Sequence, residues 1–94
     1  MKLSDLSEQE AKQLADQYLQ RLKSAGVELL NAKEMTVLNG LRTQQSLKHY
    51  ERLVPHYSLW IEMRVKEEIA QHKELLKQYE EVVDEWLEEQ NQND

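Results

Sequence analysis

Three histidines, His49, His56 and His72, are the side chains of this chain best suited to bind a metal ion or to move a proton near neutral pH. A helical zinc site usually places two ligands on one face, in a pattern such as H-x-x-x-H or E-x-x-H, and neither pattern occurs here. His49 and His56 are seven residues apart, but Pro55 lies between them. His72 falls on the apolar stripe of a predicted helix, where a polar residue can set the register of packing. We therefore expect no metal site.

The chain also lacks the residue patterns of common catalytic and cofactor sites. It has 18 carboxylates, but they are predicted to line helix surfaces, whereas a catalytic carboxylate pair needs a cleft that separates the two pKa values. There is no Gly-rich phosphate loop, no G-x-S-x-G elbow and no H-E-x-x-H motif. With no cysteine, thiolate catalysis, disulfides and Cys-based metal sites are excluded. We expect neither enzymatic activity nor a cofactor.

The element that organises the chain is a long amphipathic helix, predicted from about residue 55 to residue 89. Pro55 suits its first turn, where a missing N–H costs nothing, and no Gly or Pro follows. The apolar side chains recur at alternating spacings of three and four, which is typical of a helix with one apolar stripe. The stripe consists of Ile69, His72, Leu76, Tyr79, Val83 and Trp86, with Leu75 and Val82 beside it.

Two helical segments are predicted before the long helix. The first covers about residues 5 to 25, because Ser7 and Glu10 form the S-x-x-E capping-box pattern and Gly26 is a natural stop. The second covers about residues 32 to 54 and begins after Asn31, a good N-cap residue. The pair Asn39-Gly40 is a turn signal, so this segment is either one continuous helix or two short helices.

The course of the chain at Pro55 has two alternatives. A residue before proline is pushed away from helical geometry, which favours a hairpin turn at this point. The apolar spacing nevertheless continues through Pro55, which favours a kinked helix in which the proline costs about 3 kcal/mol. That continued stripe consists of Leu47, Tyr50, Val54, Tyr57 and Ile61.

These elements predict an all-α fold: a single domain of residues 1–94, built as a small bundle of three or four helices with a long, coiled-coil-like C-terminal helix and a disordered tail at residues 90–94. We expect the first two helices to pack on the amino-terminal half of the long helix, so that its carboxy-terminal half projects. The projecting half would expose an apolar seam, which soluble monomers rarely tolerate. We define the apolar seam as Leu75, Leu76, Tyr79, Val82, Val83 and Trp86, and we expect a homodimer or a partner protein to cover it.

Charge is distributed unevenly along the chain. The net charge is −6, and residues 67–94 alone hold 2 basic and 10 acidic side chains, which gives −8 for that segment. Carboxylates four residues apart repel each other on a helix by about 0.2 to 0.5 kcal/mol per pair. A solvated surface explains such charges, but a basic partner protein would also match them. We define the acidic face as Glu81, Glu85 and Glu88 and predict that it docks such a partner.

The function that these features predict is a non-enzymatic protein-binding module, such as a small acidic inhibitor, adaptor or chaperone. The alternative is a dimeric helical DNA-binding regulator that presents Arg42, Lys48 and Arg52 to DNA. The overall negative charge disfavours that alternative, because affinity for phosphates is built from clustered cations. The chain shows neither a signal peptide nor an apolar run of membrane-spanning length, so we expect a cytoplasmic protein with no membrane partner.

Overall fold

The computed structural model describes the backbone at residues 1–56 and 59–92 and the side chains at residues 1–56 and 63–90. The three long helices are α1 (Glu8–Ser24), α2 (Ala32–Leu53) and α3 (Leu59–Gln92), and two short 3₁₀ helices span Leu3–Asp5 and Val54–His56. The described residues contain no strand. The prediction of an all-α fold with a long last helix is therefore confirmed.

Local side-chain chemistry sets both ends of α1. At its start, the Ser7 hydroxyl accepts the Glu10 N–H at 3.1 Å, and the Glu10 carboxylate accepts the Ser7 N–H at 3.0 Å. The Ser7 backbone N–H also holds the pKa of Glu10 below its usual range. At its end, Gly26 adopts φ +79°, which only glycine reaches without strain. The Gly26 N–H then bonds to the Lys23 carbonyl, and the next N–H bonds to the Leu22 carbonyl, as in a Schellman motif.

The second helix is continuous through the Asn39-Gly40 pair. It begins with a reciprocal cap in which Asn31 and Glu34 each accept the other's backbone N–H, at 2.8 and 2.9 Å. Gly40 lies in its interior, where an ideal Cβ would come within 2.6 Å of Val83 Cγ2. The turn signal is overridden because the missing side chain lets α2 and α3 approach closely, and that packing outweighs a helix-propensity cost of about 1 kcal/mol.

At Pro55 the chain turns back as a hairpin. Proline lies in the 3₁₀ helix Val54–His56, and α3 begins at Leu59 rather than at the proline. Gly40 meets Val83, and the Tyr50 ring meets the His72 ring at 5.4 Å, so α2 and α3 run antiparallel. Of the stripe predicted to continue through the proline, Tyr57 and Ile61 lie outside the described side chains. α3 extends to Gln92, past the predicted end at Glu89, and residues 93 and 94 are also outside the description.

The carboxy-terminal half of α3 does not project, and the prediction that it does is wrong. Trp86 is 4% exposed and packs on the Tyr18 ring of α1, with 4.8 Å between the ring centroids. Val83 is fully buried against α2. The physical reason is the hairpin at Pro55, because antiparallel pairing lays the far end of α3 along the start of α2, where α1 also packs.

One apolar core joins all three helices. α2 lies between α1 and α3 and packs against both. The segment before α1 also contributes, because Leu3 and Leu6 are almost completely buried. We call residues 1–6 the N-terminal arm. The remaining buried apolar residues of this core are Ala11, Ala15, Tyr18, Val37, Leu38, Leu41, Leu47, Leu76, Val83, Trp86 and Leu87.

We predict that Gly40→Ala destabilises the protein. The new methyl group would lie 2.6 Å from Val83 Cγ2 and 3.2 Å from Tyr79 Cβ. Overpacking of this kind costs about 1 to 3 kcal/mol, and a gain in helix propensity of about 1 kcal/mol offsets only part of that cost. Urea unfolding followed by circular dichroism measures the change.

The matched control is Asn39→Ala, which adds a somewhat smaller gain in helix propensity at an exposed position one residue away. We expect this control to be neutral or slightly stabilising. Val83→Ala removes the atom that the new methyl group meets, so it should cost less free energy of unfolding in the Gly40→Ala background than in the wild type. If the two substitutions lower the free energy of unfolding by strictly additive amounts, the close contact with Val83 is not the reason why Gly40→Ala destabilises the protein.

Candidate partner-binding surface

The structure divides the predicted apolar seam between core and surface. Leu76, Val83 and Trp86 lie in the core, and Tyr79 and Val82 are half-buried against it. The exposed member is Leu75, with 39% of its surface accessible. A partner cannot reach the buried members while the three helices stay packed, so the burial of these residues removes the reason for which a partner seam was predicted.

The acidic face remains on the outside of α3. Glu81, Glu85 and Glu88 are all exposed, at spacings of four and three residues that place them along one side of the helix. Val83 and Trp86, on the opposite side, are buried and fix the rotation of α3 about its axis. In the part of the chain that the structure describes, none of these three carboxylates forms an ion pair or a hydrogen bond.

Two other carboxylates of the same acidic stretch have partners inside the molecule. Asp84 Oδ1 accepts the Leu3 backbone N–H at 2.7 Å. Glu89 forms an ion pair with Lys33 of α2 at 3.5 Å, between side chains that are each about half exposed. These contacts offset part of the like-charge repulsion that the sequence predicted for the last turns of α3. From residue 80 to residue 89, the carboxylates with no such partner among the described residues are Glu80 and the three of the acidic face.

Sequence reasoning missed the N-terminal arm as a structural element. Leu3 and Leu6 are 1% and 0% exposed, and the Gln44 amide donates to the Leu6 carbonyl at 2.8 Å. The signal that would have found it is the pair of leucines placed ahead of the Ser7 cap in an otherwise polar segment. A residue pattern this short gives no indication of which helix surface it covers.

A second missed feature is a cluster of charged side chains that joins the start of α1 to the end of α2. Glu8 accepts Arg52 Nε at 2.9 Å and lies 3.0 Å from His49 Nδ1, which is itself 3.1 Å from Arg52 Nη2. The Arg52 guanidinium, assisted by His49, holds the pKa of Glu8 below its usual range despite partial desolvation. The same hydrogen bond raises the pKa of Arg52.

The pairing of basic residues disfavours the DNA-binding alternative. Arg52 is bound to Glu8, and Lys48 lies 4.0 Å from Glu51, so two of the three predicted phosphate contacts already face carboxylates. Arg42 is exposed. A helix-turn-helix motif would also need a turn at Gly40, which lies inside α2 instead.

The histidines are dispersed over the molecule. His72 Nδ1 lies 2.7 Å from the carbonyl of Glu68, one turn earlier in α3, and its ring packs edge-on against Tyr50. His49 belongs to the charged cluster, and His56 is exposed in the 3₁₀ helix at the hairpin turn. Across residues 1–56 and the described part of α3, no group of three or more potential ligands is placed to hold a metal ion.

Comparison of the chain with protein-family models, with curated proteins and with solved structures finds no match. Within the described ranges, no helix combines the length and the apolar character that crossing a bilayer requires. The surfaces of the molecule are therefore the basis for a proposed function.

We predict that Glu8 stabilises the protein in a pH-dependent manner. Because its pKa is lowered in the folded state, its contribution is fully present above the unfolded-state pKa of about 4.3 and is lost as the pH falls through the lower folded-state pKa. The urea midpoint of wild type should therefore exceed that of Glu8→Gln at pH 7, and the difference should shrink below about pH 4.

The control for this experiment is Glu28→Gln, which removes the same charge from an exposed connection between α1 and α2. Its difference from wild type should be smaller at pH 7. A Glu8→Gln difference that stays constant down to the acid transition would mean that the cluster does not hold α1 to α2.

Proposed function

We propose that this protein is a non-enzymatic protein-binding module, in the class of small acidic inhibitors, adaptors and chaperones, which occupies a basic surface of a partner protein through the outer side of α3. The observation that carries the proposal is the acidic face. Glu81, Glu85 and Glu88 are exposed and have no ionic partner among the described residues, on a helix whose opposite side is anchored in the core.

The burial of one side of α3 supports a docking role because it holds the three carboxylates of the acidic face at fixed positions. Glu81 and Glu88 are seven residues apart, so the three charges extend over about 10 Å of helix. The burial of Val83, Trp86 and Leu87 leaves α3 little freedom to rotate. A partner with cations at matching positions would gain charge-assisted contacts without having to order this helix first.

Electrostatic repulsion at the end of α3 in the free protein also favours a basic partner. Glu81 and Glu85 are one turn apart, and negative charge near a helix C-terminus opposes the helix dipole. Each of these terms is worth a few tenths of a kcal/mol up to about 1 kcal/mol. Lysine or arginine side chains of a partner would relieve them on binding. Such attraction is screened over a Debye length of about 8 Å at physiological salt, so the affinity should fall as salt rises.

Leu75 gives this surface an apolar contact beside the charges. It is the exposed member of the predicted seam and lies along a shallow depression on α3. The depression is lined by Ala70, Gln71, Glu74, Leu75 and Gln78. An aliphatic side chain of the partner placed here, about two helical turns before Glu81, would supply burial that the carboxylates cannot.

We predict that the triple substitution Glu81→Gln, Glu85→Gln and Glu88→Gln removes partner binding without unfolding the protein. Its free energy of unfolding should rise by up to about 1 to 2 kcal/mol, because like-charge and dipole repulsion are removed. Quantitative mass spectrometry of proteins captured from the source cell, at low and at moderate salt, compares this variant with wild type.

The control variant removes three charges from exposed positions that lie off α3, at Asp16, Glu28 and Glu51. We expect it to retain the partners of wild type, and we expect those partners to be lost from wild type as salt increases. Capture of the same proteins by both variants would place the binding surface elsewhere and defeat the proposal.

The apolar seam, from which a homodimer was predicted, is mostly buried within one molecule. A homodimer would therefore have to use another surface. Pairing of two α3 helices in a coiled coil would require Val83 and Trp86 to leave the core. We therefore expect a monomer in sedimentation equilibrium at low micromolar concentration, in low and in moderate salt. A dimer that Leu75→Asp dissociates would instead show that the outer side of α3 pairs with itself.

A further inference from the structure

The N-terminal arm lies in a groove between α2 and α3. We define the arm groove by Gly40 and Gln44 on the α2 wall and by Val83 and Asp84 on the α3 wall. Leu3 packs in this groove, with its Cδ2 3.6 Å from the position that a Cβ of Gly40 would occupy. The 3₁₀ turn of the arm packs on α2 and α3. The groove therefore holds the Leu3 side chain between two helices, and the buried Leu6 side chain follows beside Leu87 of α3.

Each wall of the groove presents one polar group to the backbone of the arm. On the α3 wall, the Asp84 carboxylate accepts the Leu3 N–H at 2.7 Å. On the α2 wall, Gln44 Nε2 donates to the Leu6 carbonyl at 2.8 Å and to the Ser4 carbonyl at 3.4 Å. These two carbonyls fix the orientation of the Gln44 amide, because a flipped amide would turn Oε1 toward two other acceptors.

The arm leaves one buried acceptor unsatisfied. Gln44 is 1% exposed, and its Oε1 accepts no hydrogen bond from the described chain. The 3₁₀ turn commits the N–H groups of Asp5 and Leu6 to the carbonyls of Lys2 and Leu3, and the Ser4 N–H does not bond to Oε1 either. The next N–H, that of Ser7, is bound by the capping carboxylate of Glu10. The arm is thus an incomplete ligand for its own groove.

An extended peptide would complete the set of hydrogen bonds. Leu3 and Leu6 are three residues apart in a 3₁₀ turn, a rise of about 6 Å, and residues i and i+2 of an extended strand are about 6.6 Å apart on one face. Successive N–H groups of an extended strand point to opposite sides. One of them would face Asp84 while the next faced Gln44 Oε1.

We propose that the arm groove is a binding site for an extended segment of a partner protein with the pattern aliphatic-x-aliphatic, and that the N-terminal arm is its intramolecular, displaceable occupant. The ligand donates one backbone N–H to Asp84 and the following N–H to Gln44 Oε1. Neither Asp84 nor Gln44 belongs to the acidic face. The test of this site is therefore independent of the test of the function proposed above.

The test is a titration of the ¹⁵N-labelled full chain with the peptide acetyl-Lys-Leu-Thr-Leu-Thr-amide, followed by NMR. We expect the backbone signals of Leu3 and Leu6 to move to the positions of an unfolded segment, and the side-chain amide signal of Gln44 to shift. A control peptide methylated on the nitrogen of the threonine between the leucines cannot donate to Gln44. We expect it to bind about five- to 100-fold more weakly, as for other buried groups left unpaired.

Two variants of the protein sharpen the test. Leu3→Ala weakens the competing arm, so the peptide should bind it at least about tenfold more tightly than wild type. Gln44→Met removes the acceptor, so the penalty for methylation should disappear in that background. The wild-type measurement is sufficient by itself if either variant fails to fold.

Several results would overturn the proposal. Peptide binding that leaves the Leu3 and Leu6 signals in place would put the peptide elsewhere, and equal affinity for the methylated peptide would exclude the bond to Gln44. A folded Leu3→Ala variant that does not bind the peptide would show that the groove has no affinity for extended chains. If the Leu3 and Leu6 signals change when the protein concentration is raised without any peptide, the groove binds the arm of a second copy of the chain.

Discussion

The missing side chain at Gly40 sets how closely α2 and α3 pack, and that packing decides where the other elements lie. It allows Val83 Cγ2 to lie within 2.6 Å of the position that a Cβ would occupy, and so brings α2 and α3 close together in the part of the hairpin away from the turn. This contact fixes the rotation of α3 about its axis. Trp86, almost one turn further along, then reaches the Tyr18 ring of α1, and the carboxylates on the other side of the helix point outward.

The carboxylates of α3 show how tertiary placement gives one residue type several roles. Asp84 holds a backbone N–H of the arm, and Glu89 pairs with Lys33 across the α2–α3 interface. Glu85, between them in sequence, faces away from the core and is exposed. In a helix these positions differ by rotation about the axis, so the direction of the core alone decides which charges are compensated and which are available to a partner.

Polar groups hold the arm and the start of α1 in place. Glu8 binds Arg52 and His49 near the end of α2, while Gln44, in the middle of α2, holds the backbone of the arm. The charged cluster is solvated and adjustable, whereas the Gln44 amide is buried and has a fixed set of donors and acceptors. A buried amide with one unsatisfied oxygen is costly, and such groups are uncommon in folded proteins unless a partner completes them.

Features that depend on neighbouring residues could be predicted from the amino-acid sequence. The caps at Ser7 and Asn31 and the stop at Gly26 were predictable because each helix end is satisfied by groups within a few residues of it. The all-α class followed from apolar spacing. The exposure of Glu81, Glu85 and Glu88 was predictable in the same way, as the side of a helix that faces away from its apolar stripe.

Features that depend on residues distant in the sequence could not be predicted, because they are set by packing between helices. Whether the chain turns at Pro55, whether Gly40 breaks α2, and what covers Trp86 are set by contacts between α2 and α3 and between α1 and α3. An apolar stripe specifies that a helix face must be buried, but not which element buries it. The groove between α2 and α3 and the clustering of Glu8 with Arg52 arise for the same reason, because both join residues about 40 or more positions apart.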